Sequence, residues 1–181
     1  VALILGDNFF YGQSLTKKLK DCVKLKSGCK ILVHPVNNPE LYGVASVNAK
    51  NKINSIIEKP KNSKSNLAVT GLYFFDNKVV NFSKTLRPSK RKELEIVDLL
   101  NKYKKKKKLS AEFLGRGGAW LDTGSIDDFY KTSSFVSSLE NRQGLKIACL
   151  EEIALSNKWI NKKDIKKSIK FYGNCIYSNY L

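Results

Sequence analysis

The chain begins with the run Val1-Ala2-Leu3-Ile4-Leu5-Gly6-Asp7-Asn8, and this run decides the fold class. Its five leading apolar residues have the length of a buried strand, and the glycine that follows marks the entry to a loop. In an α/β sheet, a carboxylate that directly follows such a strand lies at the strand end, where ligands bind. We therefore expect Asp7 at a strand end of such a sheet.

A second acidic signature, Trp120-Leu121-Asp122-Thr123-Gly124, has the same pattern further along the chain. Two carboxylates at strand ends can hold one hard cation, and a cation there would bind phosphate oxygens. Each aspartate has an alternative role as the capping residue of its own loop. The sequence does not show whether the two loops meet in space.

The composition is that of a globular protein. With 181 residues, 42% of them apolar, the chain is long enough for one domain with a core. It contains no methionine and opens inside a predicted strand, so we expect that an N-terminal part is missing. No signal peptide is visible, and no apolar run approaches the ~20 residues that span a membrane. We expect a cytoplasmic protein without a membrane partner.

Cysteine and histidine usage argues against a zinc site and against histidine-based catalysis. The four cysteines include no C-x-x-C pair, and His34 is the single histidine. We expect free thiols in a reducing compartment.

The net charge of +17 is compatible with nucleic acid, a membrane surface or a phosphorylated substrate as partner. One run of lysines, at 104–108, ends a predicted helix, where cations are favourable, and the others are spread along helix faces. Aromatic residues are not interleaved with the basic ones as in RNA-reading surfaces. We expect a solvated lysine-rich surface and no nucleic-acid partner. A basic nucleic-acid-binding module remains the alternative, and it predicts binding with a steep salt dependence.

Predicted strands and helices alternate along the chain. The strands are at 3–5, 29–33, 43–47, 53–57, 67–75 and 111–114, and the helices are at 77–85, 93–106, 125 to about 139, 151–157 and 162–169, with one further helix capped by Ser14. This alternation predicts an α/β sheet with helices on its faces. We divide the chain into a partial α/β domain at 1–140 and a helical C-terminal appendage of that domain at 141–181.

Two further stretches are candidates for ligand contacts. Glu58-Lys59-Pro60 is either an exposed strand end, or a site where Glu58 binds sugar hydroxyls and Lys59 neutralises a phosphate. In the strand at 67–75, the absent side chain of Gly71 would allow a ligand to approach the backbone.

Together these stretches resemble the glucose-1-phosphate thymidylyltransferases, a family of nucleotidyltransferases. The matching motifs occur in the same order as in that family: Leu5-Gly6-Asp7-Asn8-x-Phe10-Tyr11-Gly12, Val36-Asn37-x-Pro39-Glu40-x-Tyr42-Gly43-Val44, Glu58-Lys59-Pro60, Ala68-Val69-Thr70-Gly71-Leu72-Tyr73, Glu93-Leu94-Glu95-Ile96, Ala119-Trp120-Leu121-Asp122-Thr123-Gly124, Arg142-Gln143-Gly144-Leu145-Lys146 and Glu151-Glu152-Ile153-Ala154. The match covers the chain up to about Trp159.

The resemblance implies a Rossmann-like nucleotide-diphospho-sugar transferase fold, an α/β mixed sheet with helices on both faces and a helical C-terminal appendage. It also implies a reaction that joins dTTP and glucose 1-phosphate to dTDP-glucose and pyrophosphate, in the pathway to dTDP-rhamnose. Mg²⁺ would be the cofactor, and relatives assemble as homo-oligomers, with a homotetramer expected. The implied roles are metal binding and catalysis for Asp7 and Asp122, phosphate binding and catalysis for Lys59, and substrate binding for Asn8, Tyr42, Gly43, Glu58, Val69 and Trp120.

The chain also departs from the family pattern. The family's glycine-rich triphosphate loop and its base-recognition segment precede the motif at Leu5, and this chain lacks both. We therefore expect the 181 residues alone to be inactive, and the preference for one base stays open. A related sugar-1-phosphate nucleotidyltransferase with another base and a catalytically dead relative are the remaining alternatives.

Overall fold

A computed structural model describes residues 1–89 and 92–181. Within them the strands are β1 (Ala2–Ile4), β2 (Asn8–Gly12), β3 (Cys29–Pro35), β4 (Gly43–Val47), β5 (Ile53–Glu58), β6 (Leu67–Phe75), β7 (Leu109–Phe113) and β8 (Gly118–Asp122). The helices are α1 (Leu15–Val23), α2 (Val79–Ser83), α3 (Ile96–Lys105), α4 (Ile126–Gln143), α5 (Leu150–Ser156), α6 (Lys162–Tyr172) and α7 (Ile176–Tyr180), with a single 3-10 turn at Pro39–Leu41. The described chain forms two compact units, Val1–Asp128 and Phe129–Leu181.

A mixed sheet forms the centre of the first unit. Its strand order is β5-β4-β6-β3-β7, with β1 also paired to β6. β3 runs antiparallel to β6 and parallel to β7, while β1 and β4 run antiparallel to β6. β2 and β8 form a separate two-stranded sheet. The predicted mixed α/β sheet is confirmed.

One edge of β6 is shared by two strands that leave a gap between them. β1 pairs with Leu72–Phe74 and β4 pairs with Leu67 and Ala68. Both strands lie on the same edge, because β3 occupies the other edge at both places. Three residues of β6, 69–71, therefore have neither β1 nor β4 as a ladder partner on this edge. The C-terminal end of β1 and the N-terminal end of β4 both face this gap.

Helices cover both faces of the sheet, because neighbouring residues of a strand point to opposite faces. Ile31 and Val33 of β3 belong to a core cluster with Leu99, Leu100 and Tyr103 of α3. Leu32, the residue between them in β3, belongs to a second cluster on the other face. This cluster consists of Cys22, Leu32, Leu72, Phe74 and Leu114. Cys22 lies in α1, and Leu15 and Leu19 of the same helix pack against the cluster.

The helices of the first unit follow their sequence patterns. In α3, Ile96, Leu99, Leu100 and Tyr103 have the i, i+3, i+4, i+7 spacing of an amphipathic helix, and all four pack into the first cluster. Ser14 precedes α1 as predicted, but its side chain accepts no capping hydrogen bond. No helix in the described ranges is long and apolar enough to cross a membrane.

The second unit contains most of α4 and the shorter helices α5, α6 and α7, and polar contacts stabilise the shorter helices. Asn161 and Asp164 form a capping box at the start of α6. Glu151 of α5 is buried and accepts a hydrogen bond from the hydroxyl of Tyr177 in α7. The last helix, α7, was not predicted. The division of the chain into a domain at 1–140 and an appendage at 141–181 stays a prediction.

Candidate functional site

The loop that carries Asp7 enters the gap on the edge of β6. The N–H of Leu5 donates to the carbonyl of Gly71, which extends the pairing of β1 by one bond. The N–H of Gly71 then donates to Oδ1 of Asn8 at 2.9 Å. The asparagine side chain thus takes the position that a continuing strand would occupy beside β6.

Gly71 is required for this close approach. A Cβ atom at this position would lie 2.7 Å from the side-chain amide atoms of Asn8, which is closer than real contacts allow. We predicted that this glycine would allow a ligand to approach the backbone. In the structure the group that approaches is the amide of Asn8.

The β2–β8 ladder brings the two acidic signatures together. Asn8 pairs with Asp122 in register. The carbonyl of Asp7 accepts hydrogen bonds from both the N–H and the hydroxyl of Thr123, at 2.8 and 2.9 Å. Asp7 therefore lies beside the end of β8, and the two predicted loops do meet. Asp122 is the last residue of β8 and therefore lies at a strand end. The alternative that it is a residue of the following loop is wrong.

Each of the two carboxylates uses one oxygen inside the protein. Oδ1 of Asp7 accepts from Nδ2 of Asn8 at 2.8 Å, and Oδ1 of Asp122 accepts from the N–H of Gly124 at 3.1 Å. Within residues 1–89 and 92–181, the second oxygen of each carboxylate, Oδ2, accepts no hydrogen bond. These two oxygens have the hard donor chemistry that Mg²⁺ binds.

The pKa of Asp122 responds to its burial and to the charges around it. Burial raises the pKa of its carboxyl above the usual range, and the negative charges of Asp7 and Asp128 raise it further. The hydrogen bond from Gly124 and the positive charge of Lys59 act in the opposite direction. A cation between the carboxylates would remove the repulsion between them, so the donor set fits a divalent metal ion.

The described residues offer a metal ion few protein ligands. No group of three or more His, Cys, Asp or Glu side chains in this part of the chain is arranged to bind a metal. A magnesium ion held by two carboxylates would keep its other positions for water and substrate phosphates, which is its usual mode in phosphate chemistry.

Three predicted substrate residues form one contact cluster at the other side of the gap. Gly43 pairs with Glu58 across the β4–β5 ladder. A Cβ at Gly43 would lie 3.1 Å from Oε2 of Glu58 and 3.9 Å from Cβ of Val69. The glycine therefore leaves space for the carboxylate of Glu58 over the start of β4. Val97 of α3 borders the same point and was not predicted.

The carboxylates of Glu58 and Asp7, from opposite sides of the gap, both act on one residue of β6. Tyr73 of β6 is buried, and its pKa is raised first by burial and then by the negative charges of Glu58, Cys29 and Asp7. One tyrosine therefore lies in the field of carboxylates from both sides of the gap. Sequence reasoning gave Tyr73 no role, because its apolar surroundings in the strand are typical of core residues.

Aromatic residues connect the two sides. The rings of Tyr42 and Trp120 meet edge to face, with centroids 5.0 Å apart. Nε1 of Trp120 donates to Oδ1 of Asn8 at 2.6 Å, and the carbonyl of Tyr42 accepts from the N–H of Lys59 at 3.0 Å. Lys59 itself has a φ of 42°, a left-handed conformation that is uncommon for lysine. The structure thus brings all nine predicted site residues to this gap or to the adjoining β2–β8 ladder.

Comparison with known proteins gives one consistent family. The family model described as nucleotidyl transferase matches residues 1–138. A glucose-1-phosphate thymidylyltransferase of Neisseria gonorrhoeae is 48% identical over 181 residues, which are 100% of this chain and 63% of that protein. One from Mycobacterium tuberculosis (strain ATCC 25618 / H37Rv) is 41% identical, again over the whole chain and 62% of its own length. The chain therefore spans somewhat less than two thirds of these relatives.

Solved structures agree with the observed fold. A Bacillus anthracis protein assigned as a glucose-1-phosphate thymidylyltransferase, solved in complex with a sucrose, matches 74% of this chain and 53% of its own, with a TM-score of 0.65 and 38% identity. A UDP-glucose pyrophosphorylase complexed with UDP-glucose matches 76% of this chain and 55% of its own, with a TM-score of 0.66 and 24% identity, and shows the fold alone. With its mixed sheet, its paired aspartates and a family match over residues 1–138, the chain belongs to the nucleotidyl transferase family.

Proposed function

We propose that the protein joins dTTP and glucose 1-phosphate to give dTDP-glucose and pyrophosphate. This chain would supply the metal and sugar side of the active site. The observation that carries the proposal is the pairing of Asn8 with Asp122, which places two aspartates side by side, each with one oxygen not engaged by the described residues. The relatives that match the whole chain at 41–48% identity are named for this reaction.

The sugar would bind at the β4–β5 end of the gap. The exposed carboxylate of Glu58 accepts hydrogen bonds, and sugar hydroxyls are donors that match it. Gly43 and Val69 would form the floor below the sugar, because neither has a polar side chain that competes for its hydroxyls. The aromatic pair Tyr42 and Trp120 would supply a wall beside this floor.

The phosphates would bind between Lys59 and the two aspartates. In the proposed reaction a phosphate oxygen of glucose 1-phosphate attacks the α-phosphorus of dTTP, the bond to the β-phosphate breaks, and pyrophosphate leaves. Asp7 and Asp122 would hold Mg²⁺, whose contribution is to neutralise charge on the phosphate oxygens. Lys59 would supply a further positive charge, and its fixed backbone conformation would direct the side chain toward the phosphates.

The other implied properties belong to the same proposal. We infer a homo-oligomer, a cytoplasmic location and a place in the formation of dTDP-rhamnose and other dTDP-sugars. The net charge of +17 comes from 33 lysine and arginine residues against 16 acidic ones, and we infer that these lysines are solvated and that the partner is a phosphorylated substrate, not a nucleic acid.

The test is an assay of pyrophosphate release from dTTP, glucose 1-phosphate and Mg²⁺ by the full-length product of the gene that encodes this chain. Turnover is expected, and Asp122→Asn should lower kcat at least about 100-fold, since stabilisation by a metal contributes several kcal/mol. Asp21→Asn removes an exposed aspartate that forms an ion pair with Lys24 at the end of α1, and it serves as the matched control. Turnover that is equal in wild type and Asp122→Asn would refute the proposal, as would the absence of turnover in the wild type.

A further inference from the structure

The side-chain amide of Asn8 is engaged in three hydrogen bonds within the protein. Its Oδ1 accepts from the N–H of Gly71 at 2.9 Å and from Nε1 of Trp120 at 2.6 Å. Its Nδ2 donates to Oδ1 of Asp7 at 2.8 Å. The amide therefore connects β6, β8 and the first of the two paired aspartates.

Only one orientation of the amide satisfies these contacts. A backbone N–H and an indole N–H are donors only, and an ionised carboxylate is an acceptor only. If the amide were flipped, its NH₂ group would face two donors and its oxygen would face the carboxylate of Asp7. The three partners thus fix the amide without reference to any ligand.

The amide has little capacity left for a sugar. Its oxygen has two lone pairs, and both are used by Gly71 and Trp120. One of its two N–H groups is used by Asp7. One N–H of the amide is therefore left for a ligand.

We propose that Asn8 is a positioning residue for Asp7. Its amide holds Oδ1 of Asp7 and thereby turns Oδ2 toward the cation that Asp7 and Asp122 would share. The inference rests on the proposed function, since it assigns Asn8 to the metal side of that site. Partners that orient a metal ligand typically change metal affinity or activity by roughly 10–100-fold when they are removed.

The first variant is Asn8→Ala, made in the full-length product of the gene and probed with Mn²⁺ in place of Mg²⁺. Electron paramagnetic resonance measures free Mn²⁺ during a titration. Positioning predicts an Mn²⁺ affinity about 10-fold or more below that of the wild type, a lower kcat, and a KM for glucose 1-phosphate within about twofold of the wild type. A sugar contact predicts the opposite result: a raised KM with unchanged Mn²⁺ affinity.

A second variant moves the amide without altering it. In Gly71→Ala the new methyl group would lie 2.7 Å from the amide atoms of Asn8, so the side chain must leave its position. Gly71→Ala should therefore reproduce the loss of Mn²⁺ affinity. Asn48→Ala is the matched control, because Asn48 also accepts two backbone hydrogen bonds on Oδ1, in the turn between β4 and β5. It should leave Mn²⁺ affinity unchanged.

Asp7→Ala separates this inference from the proposed function. If Asp7→Ala abolishes Mn²⁺ binding while Asn8→Ala and Gly71→Ala bind Mn²⁺ like the wild type, the shared metal site stands and the positioning role of Asn8 is wrong. If Asp7→Ala also binds Mn²⁺ like the wild type, the metal site itself is wrong, and the positioning role is wrong with it. Weak Mn²⁺ binding in all three variants, with normal binding in Asn48→Ala, is the result that the inference predicts.

Discussion

Asn8 and Asp122 lie directly opposite each other in the β2–β8 ladder, and this pairing assembles the site. The next residue pair, Asp7 and Thr123, is held by two hydrogen bonds to one carbonyl. Two acidic motifs from distant parts of the chain are thereby held as neighbours by backbone pairing and by the hydroxyl of Thr123.

The threonine hydroxyl should contribute to this junction. Thr123→Val keeps the shape of the side chain and removes the hydrogen bond to the carbonyl of Asp7. We expect the free energy of unfolding to fall by about 0.5–1.5 kcal/mol, measured by urea denaturation. Thr123→Ser keeps the hydroxyl and should lose less stability than Thr123→Val. A Thr123→Val protein that is as stable as the wild type would show that the hydroxyl bond contributes nothing.

Glu58 should determine the use of the sugar substrate. In the full-length gene product, Glu58→Gln is expected to raise the KM for glucose 1-phosphate by roughly 10–100-fold, because a hydrogen bond to a charged group contributes about 1.5–3 kcal/mol. The KM for dTTP should change little. Gly43→Ala should act in the same direction, since its methyl group would crowd Oε2 of Glu58 at 3.1 Å. Glu112→Gln, which breaks ion pairs with Lys18 and Lys30, is the control, and an equal effect there would contradict the assignment.

Lys59 should show opposite effects on stability and on activity. Asparagine tolerates the left-handed conformation better than lysine, so Lys59→Asn should keep or slightly raise the stability. Its kcat/KM should fall about 10-fold or more through loss of the positive charge. Lys107 has a comparable φ of 55°, and Lys107→Asn should give the same stability change without a loss of activity. If Lys59→Asn and Lys107→Asn have equal kcat/KM, Lys59 has no role at the phosphates.

Asp76 should govern part of the acid sensitivity of the first unit. Burial tends to raise the pKa of its carboxyl, but hydrogen bonds from Gly28, Tyr103 and Lys78 outweigh burial and hold the pKa below the ordinary value of 3.8. A depressed pKa in the folded state stabilises the fold at pH values above the ordinary one, and this contribution is lost as the pH falls through the folded-state pKa.

Asp76→Asn tests this linkage. It should cost about 1–3 kcal/mol at neutral pH, because it weakens the hydrogen bonds that Gly28, Lys78 and Tyr103 donate to a charge. It should also flatten the decline of stability below about pH 4. Urea denaturation between pH 2.5 and pH 7, at about half-unit steps, measures both effects. If the free energy of unfolding of Asp76→Asn falls with acid as steeply as that of the wild type, the decline comes from other carboxylates.

The strands of the main sheet were predictable because each is a segment of strand length that is rich in apolar residues. The strand at 67–75 and the β4–β5 hairpin were predicted with boundaries within one residue of those observed. β2 and β8 were not predicted, because they are short and only half-buried, and each finds its partner in a distant part of the chain. Local patterns cannot show such a pairing, and it is the pairing that joins Asp7 to Asp122.

The residues that meet at the site were expected from motifs, whereas the contacts among them were not. The residue types of Asp7, Glu58 and Lys59 already indicated a cation, a sugar and a phosphate. That Asn8 fills the space above Gly71 depends on how two strand ends meet the edge of β6, which no periodicity encodes. Thr123 stood inside a recognised motif without a role, because its partner is a backbone carbonyl and not a side chain.

The central claim is that Asp7 and Asp122 share one divalent cation. Anomalous diffraction from crystals of the full-length gene product soaked in Mn²⁺ tests it most directly. We predict one strong peak between the two carboxylates, with an oxygen of each about 2.1–2.2 Å away, as expected for a Mg²⁺-type site. A peak elsewhere, or carboxylates more than ~10 Å apart with the ion bound to only one of them, would contradict the claim.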